Sequence, residues 1–160
     1  MKKDQRGFTL VELIVAILIM SMVMLAAAGF VVSAANSYRV SNIEIELQME
    51  AQIAVNQFND ILIEAIWYDT QQKADGTMDK LTVMTAEAVY TFRVDTTKHQ
   101  LMFSVNGAEE ALLAKYCESV QITPGSKPAE TNKQIVSVVI NFLNSGKTYT
   151  TTSCISLRNE

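Results

Sequence analysis

RGFTLVELIVAILIM, residues Arg6 to Met20, is an apolar run broken near its start by one carboxylate, Glu12. A charge at that depth is costly if the run enters a bilayer. Either the run stays out of a membrane or Glu12 has a partner. From Leu13 to Val32 every residue is apolar except Ser21 and Gly29, and none is charged. About 20 helical residues span ~30 Å, the thickness of a hydrocarbon core. The run therefore has membrane-crossing length, and Glu12 sits at its entrance.

Upstream, Lys2, Lys3 and Arg6 form the only basic cluster in a chain of 160 residues with net charge −4. Such a cluster ahead of an apolar helix keeps the N-terminus cytoplasmic and sends the C-terminal part outward. Without residues 1–7, which hold three basic side chains and Asp4, the charge falls from −4 to −6. An acidic exported part with no basic stripe is not expected to contact nucleic acid. Cys117 and Cys154 both lie in that part. An oxidising exterior permits a disulfide between them, and two small buried thiols are the plainer alternative.

Downstream the pattern turns amphipathic. Leu47, Ala51, Ala54, Phe58, Ile61 and Ala65 recur at steps of three and four, so one proline-free helix is predicted from Phe8 to about Trp67. Glu44, Glu46, Glu50, Asp60 and Glu64 lie largely off that stripe. At ~1.5 Å per residue such a helix is about 90 Å long, more than a compact domain of this size holds. The rest of the chain has to cover the stripe. Asp69–Asp79 is polar, contains Asp75-Gly76 and reads as a loop. Strands are predicted at Lys80–Met84, Val89–Val94, Gln100–Val105, Ser119–Thr123, Ile135–Phe142 and Lys147–Leu157, while Ala111–Lys115 is too short to assign. Asp95–Lys98 reads as a turn, Asn144-Ser145-Gly146 as a hairpin turn, and Pro124–Lys133 as a loop holding both prolines.

Four to six mostly antiparallel strands after one helix make the fold class α+β. The helix crosses a membrane with its first half and packs its second half against a β-rich head. The core is expected to hold Tyr90, Phe92, Leu101, Phe103, Val138, Ile140, Phe142, Tyr149 and Ile155. Three segments follow: 1–7, an apolar 8–36, and 37–160 with the amphipathic half-helix and head.

Catalytic chemistry is not legible. His99 is the one histidine, on a strand beside a turn, and the two cysteines lie too far apart in sequence for a paired-ligand metal motif. Asp69, Asp75 and Asp79 fail the calcium-loop pattern, and no phosphate loop, dinucleotide fingerprint or nucleophile elbow occurs. No cofactor, metal or catalytic residue is expected, and the chain does not read as an enzyme.

Three readings of the N-terminus remain. A cleavable secretory signal would use Ala26-Ala27-Ala28 as its cut site, and an uncleaved anchor would keep the whole run. Both leave Glu12 without a partner. In the third reading a cytoplasmic-side peptidase cuts between Gly7 and Phe8 and leaves the apolar helix attached. The new α-amine at Phe8 stands four residues from Glu12 and can pair with it, in the same chain or a neighbour. The dipole at a helix N-terminus also favours the carboxylate.

Arg6-Gly7-Phe8-Thr9-Leu10-Val11-Glu12 followed by an apolar run resembles the N-terminal signal of type IV pilins and type II secretion pseudopilins. The motif covers about residues 1–30, and the helix-then-head layout is similar to the minor pilins of the PilW kind and the J-class minor pseudopilins. The resemblance implies cleavage after Gly7 by a prepilin peptidase, N-methylation of Phe8 and a salt-bridge role for Glu12. It further implies a single-pass protein of the inner membrane, held in lipid before assembly, with its N-terminus cytoplasmic and its head outside. An assembly platform and its cytoplasmic ATPase would insert it among other pilins, in an initiating or tip complex. Pilus, competence pseudopilus and type II secretion all remain open. The alternative is a secreted or membrane-anchored binding domain unrelated to pili. Gly29 stands about where many major pilins carry a helix-breaking proline, so a kink there is not expected on the same grounds.

Overall fold

One helix, α1, runs from Leu10 to Ile63, 54 residues without a break, and eight strands follow it. The computed structural model describes residues 9–125 and 134–157. Their contacts form two compact units, Met1–Asn42 and Ile43–Glu160, with α1 contributing to both. In the first unit the helix passes through Gly29 without interruption, and a Cβ built at Gly29 meets no heavy atom within 4 Å. A lone glycine costs the helix only ~1 kcal/mol relative to alanine and forces no kink.

In the second unit the end of α1 falls four residues short of the predicted Trp67. The Ala65 N–H donates to the Leu62 carbonyl (3.2 Å), tightening the last turn, and the Ile66 N–H donates to the Met84 carbonyl (2.9 Å). The sheet captures the backbone before the helical pattern is exhausted. The chain then forms β1 (Trp67–Gln72), β2 (Met78–Met84), β3 (Val89–Asp95), β4 (Gln100–Val105) and β5 (Ala111–Lys115), a meander in that spatial order. A second sheet holds β6 (Cys117–Pro124), β7 (Ile135–Asn144) and β8 (Lys147–Ser156). Every pairing is antiparallel.

The predicted loop at Asp69–Asp79 is therefore largely a hairpin. Asp75 Oδ1 accepts from the Thr77 N–H (2.9 Å) and hydroxyl (2.6 Å), and Gly76 takes φ +80°. That Asx turn brings Gln72 opposite Met78. β5, too short to assign from sequence, pairs with β4. The Asn144-Ser145-Gly146 signal is a two-residue hairpin, with Ser145 at φ 51° and Gly146 at φ 78° as the mirror-image turn requires.

The helix stripe buries Leu47, Ala51, Ala54, Phe58, Ile61 and Leu62. Small residues at 51 and 54 let the helix approach the sheets closely. Phe58 stacks on Phe92 with ring centroids 4.3 Å apart, and Phe103 sits 5.2 Å from Phe92. Of the expected core, Phe92, Leu101, Val138, Ile140, Phe142 and Ile155 are buried, whereas Tyr90, Phe103 and Tyr149 are partly buried at its margin. Leu81, Val83, Val120, Ile122 and Val136 complete it. Phe58→Ala empties the centre of this cluster and is expected to cost about 3–5 kcal/mol. In the detergent-solubilised full chain, the head's thermal transition should fall by about 10 °C or more; an unchanged midpoint would remove Phe58 from the core's energetics.

Candidate functional site

The apolar helix opens on a reciprocal pair of hydrogen bonds. Thr9 is its N-cap: the Leu13 N–H donates to the Thr9 carbonyl (3.2 Å), the first bond of the helical ladder. The Thr9 N–H and hydroxyl both donate to Glu12 Oε2, each at 2.9 Å, and the Glu12 N–H donates to Thr9 Oγ1 at 3.3 Å. This Thr-x-x-Glu arrangement is a capping box. Glu12 thus has a partner within its own first turn, and the sequence signal for it was present at Thr9. The box engages only Oε2; among the described residues Oε1 makes no hydrogen bond. Gly7 and Phe8 lie outside the described residues, as does any contact between Glu12 and a Phe8 amine.

Beyond the box the helix offers apolar side chains to its surroundings. All residues from Thr9 to Asn42 are exposed, with Leu25 and Phe30 at 74% and 76%. The helix is long and apolar enough to cross a membrane. So large an apolar surface needs lipid or other apolar helices around it.

The second unit shows why Glu46 and Glu50 stand off the buried stripe. The chain turns from β5 into β6 at Tyr116, whose φ of +60° is uncommon for a bulky residue. The Lys115 N–H donates to Glu50 Oε2 (2.7 Å), and the Tyr116 hydroxyl donates to Glu46 Oε1 (3.0 Å). The Leu143 N–H closes on the Tyr116 carbonyl (2.8 Å). Donation to Glu46 also raises the Tyr116 pKa above its ordinary value. These two glutamates are head-fastening residues that no helical periodicity identified.

Cys117 and Cys154 are free thiols, contrary to the pairing that an oxidising exterior permits. Cys117 on β6 sits opposite Phe142, and Cys154 on β8 sits opposite Ser137, with β7 between them. Five positions along β7 and two strand spacings put them roughly 16 Å and 10 Å apart in the two directions. A disulfide needs Cα atoms within ~7 Å. Burial pushes the Cys117 thiol up to about 12. A maleimide is therefore expected to modify Cys154 alone in the native chain and both cysteines after denaturation, read by mass spectrometry; native labelling of Cys117 would contradict its burial.

The remaining polar candidates do not converge. His99 occupies a turn at φ 52°, and Asp69, Asp75 and Asp79 sit on β1, in the hairpin turn and on β2. No three metal-ligating side chains gather among the described residues.

A capped helix of membrane-crossing length that continues into antiparallel sheets defines an α+β chain with a pilin-like layout. Residues 2–28 match the family model described as the prokaryotic N-terminal methylation motif. No curated protein and no solved structure matches the chain. The N-terminus is thus of the prepilin type, which implies processing by a prepilin peptidase and assembly with other pilins, and points to a structural subunit rather than an enzyme.

Proposed function

We propose that this chain is a minor pilin or pseudopilin, cleaved after Gly7 and N-methylated at Phe8. The residues from Phe8 to about 36 then serve as the membrane and filament-core helix, and 37–160 as the exported part. The observation that carries this reading is the Thr9–Glu12 box at the head of an exposed apolar helix, inside the matched motif. Glu12 pairs with the Phe8 ammonium of its own chain or of a neighbouring subunit through the oxygen that the capping box leaves over. An ion pair in apolar surroundings strongly prefers contact to separation, so it sets the axial register between helices.

The chain waits in the inner membrane with its N-terminus cytoplasmic. An assembly platform driven by a cytoplasmic ATPase then moves it into a type IV pilus, a competence pseudopilus or a type II secretion pseudopilus. A place in the initiating or tip complex, as for subunits of the PilW kind or the J class, agrees with the elaborate head. N-terminal sequencing by mass spectrometry of the chain recovered from membranes tests the reading. The expected mature start is N-methyl-Phe8; a start near Gly29 would make the run a secretory signal and sink it.

A further inference from the structure

Beside β1 lies a cleft of about 990 Å³ in the second unit. Five consecutive residues, Ile66 to Thr70, line one wall. Along β1, Trp67 and Asp69 are exposed while Tyr68 and Thr70 are half-buried, so successive side chains belong to opposite faces. The cleft draws on both sets and on Ala86 and Glu87 in the turn after β2, so it passes around the start of the strand and does not lie over one face. Among the described residues the outer rim of β1 is unpaired: it hydrogen-bonds to β2 and to no other strand. Alternate backbone N–H and C=O groups of an edge strand point away from its neighbour and can receive another strand.

The rest of the cleft specifies what such a strand would carry. Pro124, Gln134 and Leu157 contribute to the lining, and Gln134 Nε2 donates to the Tyr68 hydroxyl (3.0 Å), bracing that ring. Ile66 and Trp67 are 62% and 52% exposed, an apolar anchor beside the open rim. Glu64, Asp69 and Glu87 supply three carboxylates, and among the described residues no lysine or arginine lines the cleft. None of the three takes part in an ion pair among the described residues.

We infer that this cleft binds an extended basic segment of a partner protein, which adds to β1 as a further strand. Main-chain bonds to the rim hold it, its cationic side chains meet Glu64, Asp69 and Glu87, and an apolar side chain rests on Trp67. The inference does not rest on leader cleavage or on filament assembly, and its test stands or fails apart from theirs.

Trp67 is the chain's only tryptophan, so its emission reports the cleft directly. The probe is a synthetic acetylated Val-Lys-Val-Lys-Val-Lys-Val amide, titrated into the full chain in a neutral detergent. A saturable change in Trp67 emission is expected, weakened by about 0.5 M salt through screening. Asp69→Lys with Glu87→Lys should reduce affinity at least tenfold while circular dichroism shows an intact head. Three results each overturn the proposal: an equal response to the Val-Glu counterpart, undiminished binding by the charge-reversed chain, or equal binding of a Lys peptide with alternate N-methylated amides. The last would leave charge attraction without strand addition. A response to N-acetylglucosamine oligomers in place of the peptide would also overturn it, giving the cleft to a sugar.

Discussion

Glu12→Gln should lose filament incorporation as fully as Glu12→Ala, by more than about tenfold, while both chains are still cut after Gly7. The comparison separates two roles that meet in one side chain. The capping box asks for a hydrogen-bond acceptor three residues after Thr9, and glutamine satisfies that geometry as glutamate does. A pairing with an ammonium asks for the charge itself. Glutamine therefore keeps the helix start and removes the ion pair, whereas alanine removes both. Quantifying each variant in sheared filaments, against its level in the membrane, reads the outcome. If the glutamine chain enters filaments normally, Glu12 serves the cap alone and its proposed register role is lost.

The second large effect belongs to Gly7. Gly7 suits a peptidase that needs no side chain before the scissile bond, and a branched side chain there is expected to displace the bond from its reacting position. A displacement of the reacting atoms by about an ångström is enough to cost roughly a hundredfold in rate. Gly7→Val is thus expected to leave a membrane-bound chain that still begins at Met1, detected by mass, with no Phe8 amine and no filament incorporation. Cleavage of that chain at the wild-type rate would place the cut elsewhere. The Gly7 and Glu12 variants are thus expected to arrest at different stages: one before the amine exists, the other after it has formed.

Much of this architecture was readable from periodicity. The helix stripe from Leu47 to Ile61 and the Ser145-Gly146 hairpin follow from residue types whose local preferences and tertiary environment agree. β1 was hidden because Asp69-Thr70-Gln71-Gln72, four of its six residues, are polar, as an edge strand with little burial on either face can be. β5 was hidden by its length of five residues. The division into two sheets turns on the positive φ of Tyr116, a conformation that tyrosine does not announce. At the N-terminus, Thr-x-x-Glu is legible as a cap, while the charge of Glu12 points as well to a partner outside its own turn. Glu46 and Glu50 could not be assigned at all from sequence, since Tyr116 and Lys115 lie 70 and 65 residues away.

The Tyr116 corner has a mechanical meaning. Glu46 and Glu50 are one helical turn apart on α1, and both grip the chain where it passes from the five-stranded to the three-stranded sheet. These contacts tie the helix to the seam between the sheets, in addition to the chain's own passage from α1 into the edge strand β1. Glu44 adds an exposed pairing with Lys147 (3.6 Å), too weak to strengthen them much but situated at the tip of the β7–β8 hairpin. Besides the buried stripe from Leu47 to Leu62, the head is thus fastened to its helix by polar contacts at the crossing between the sheets.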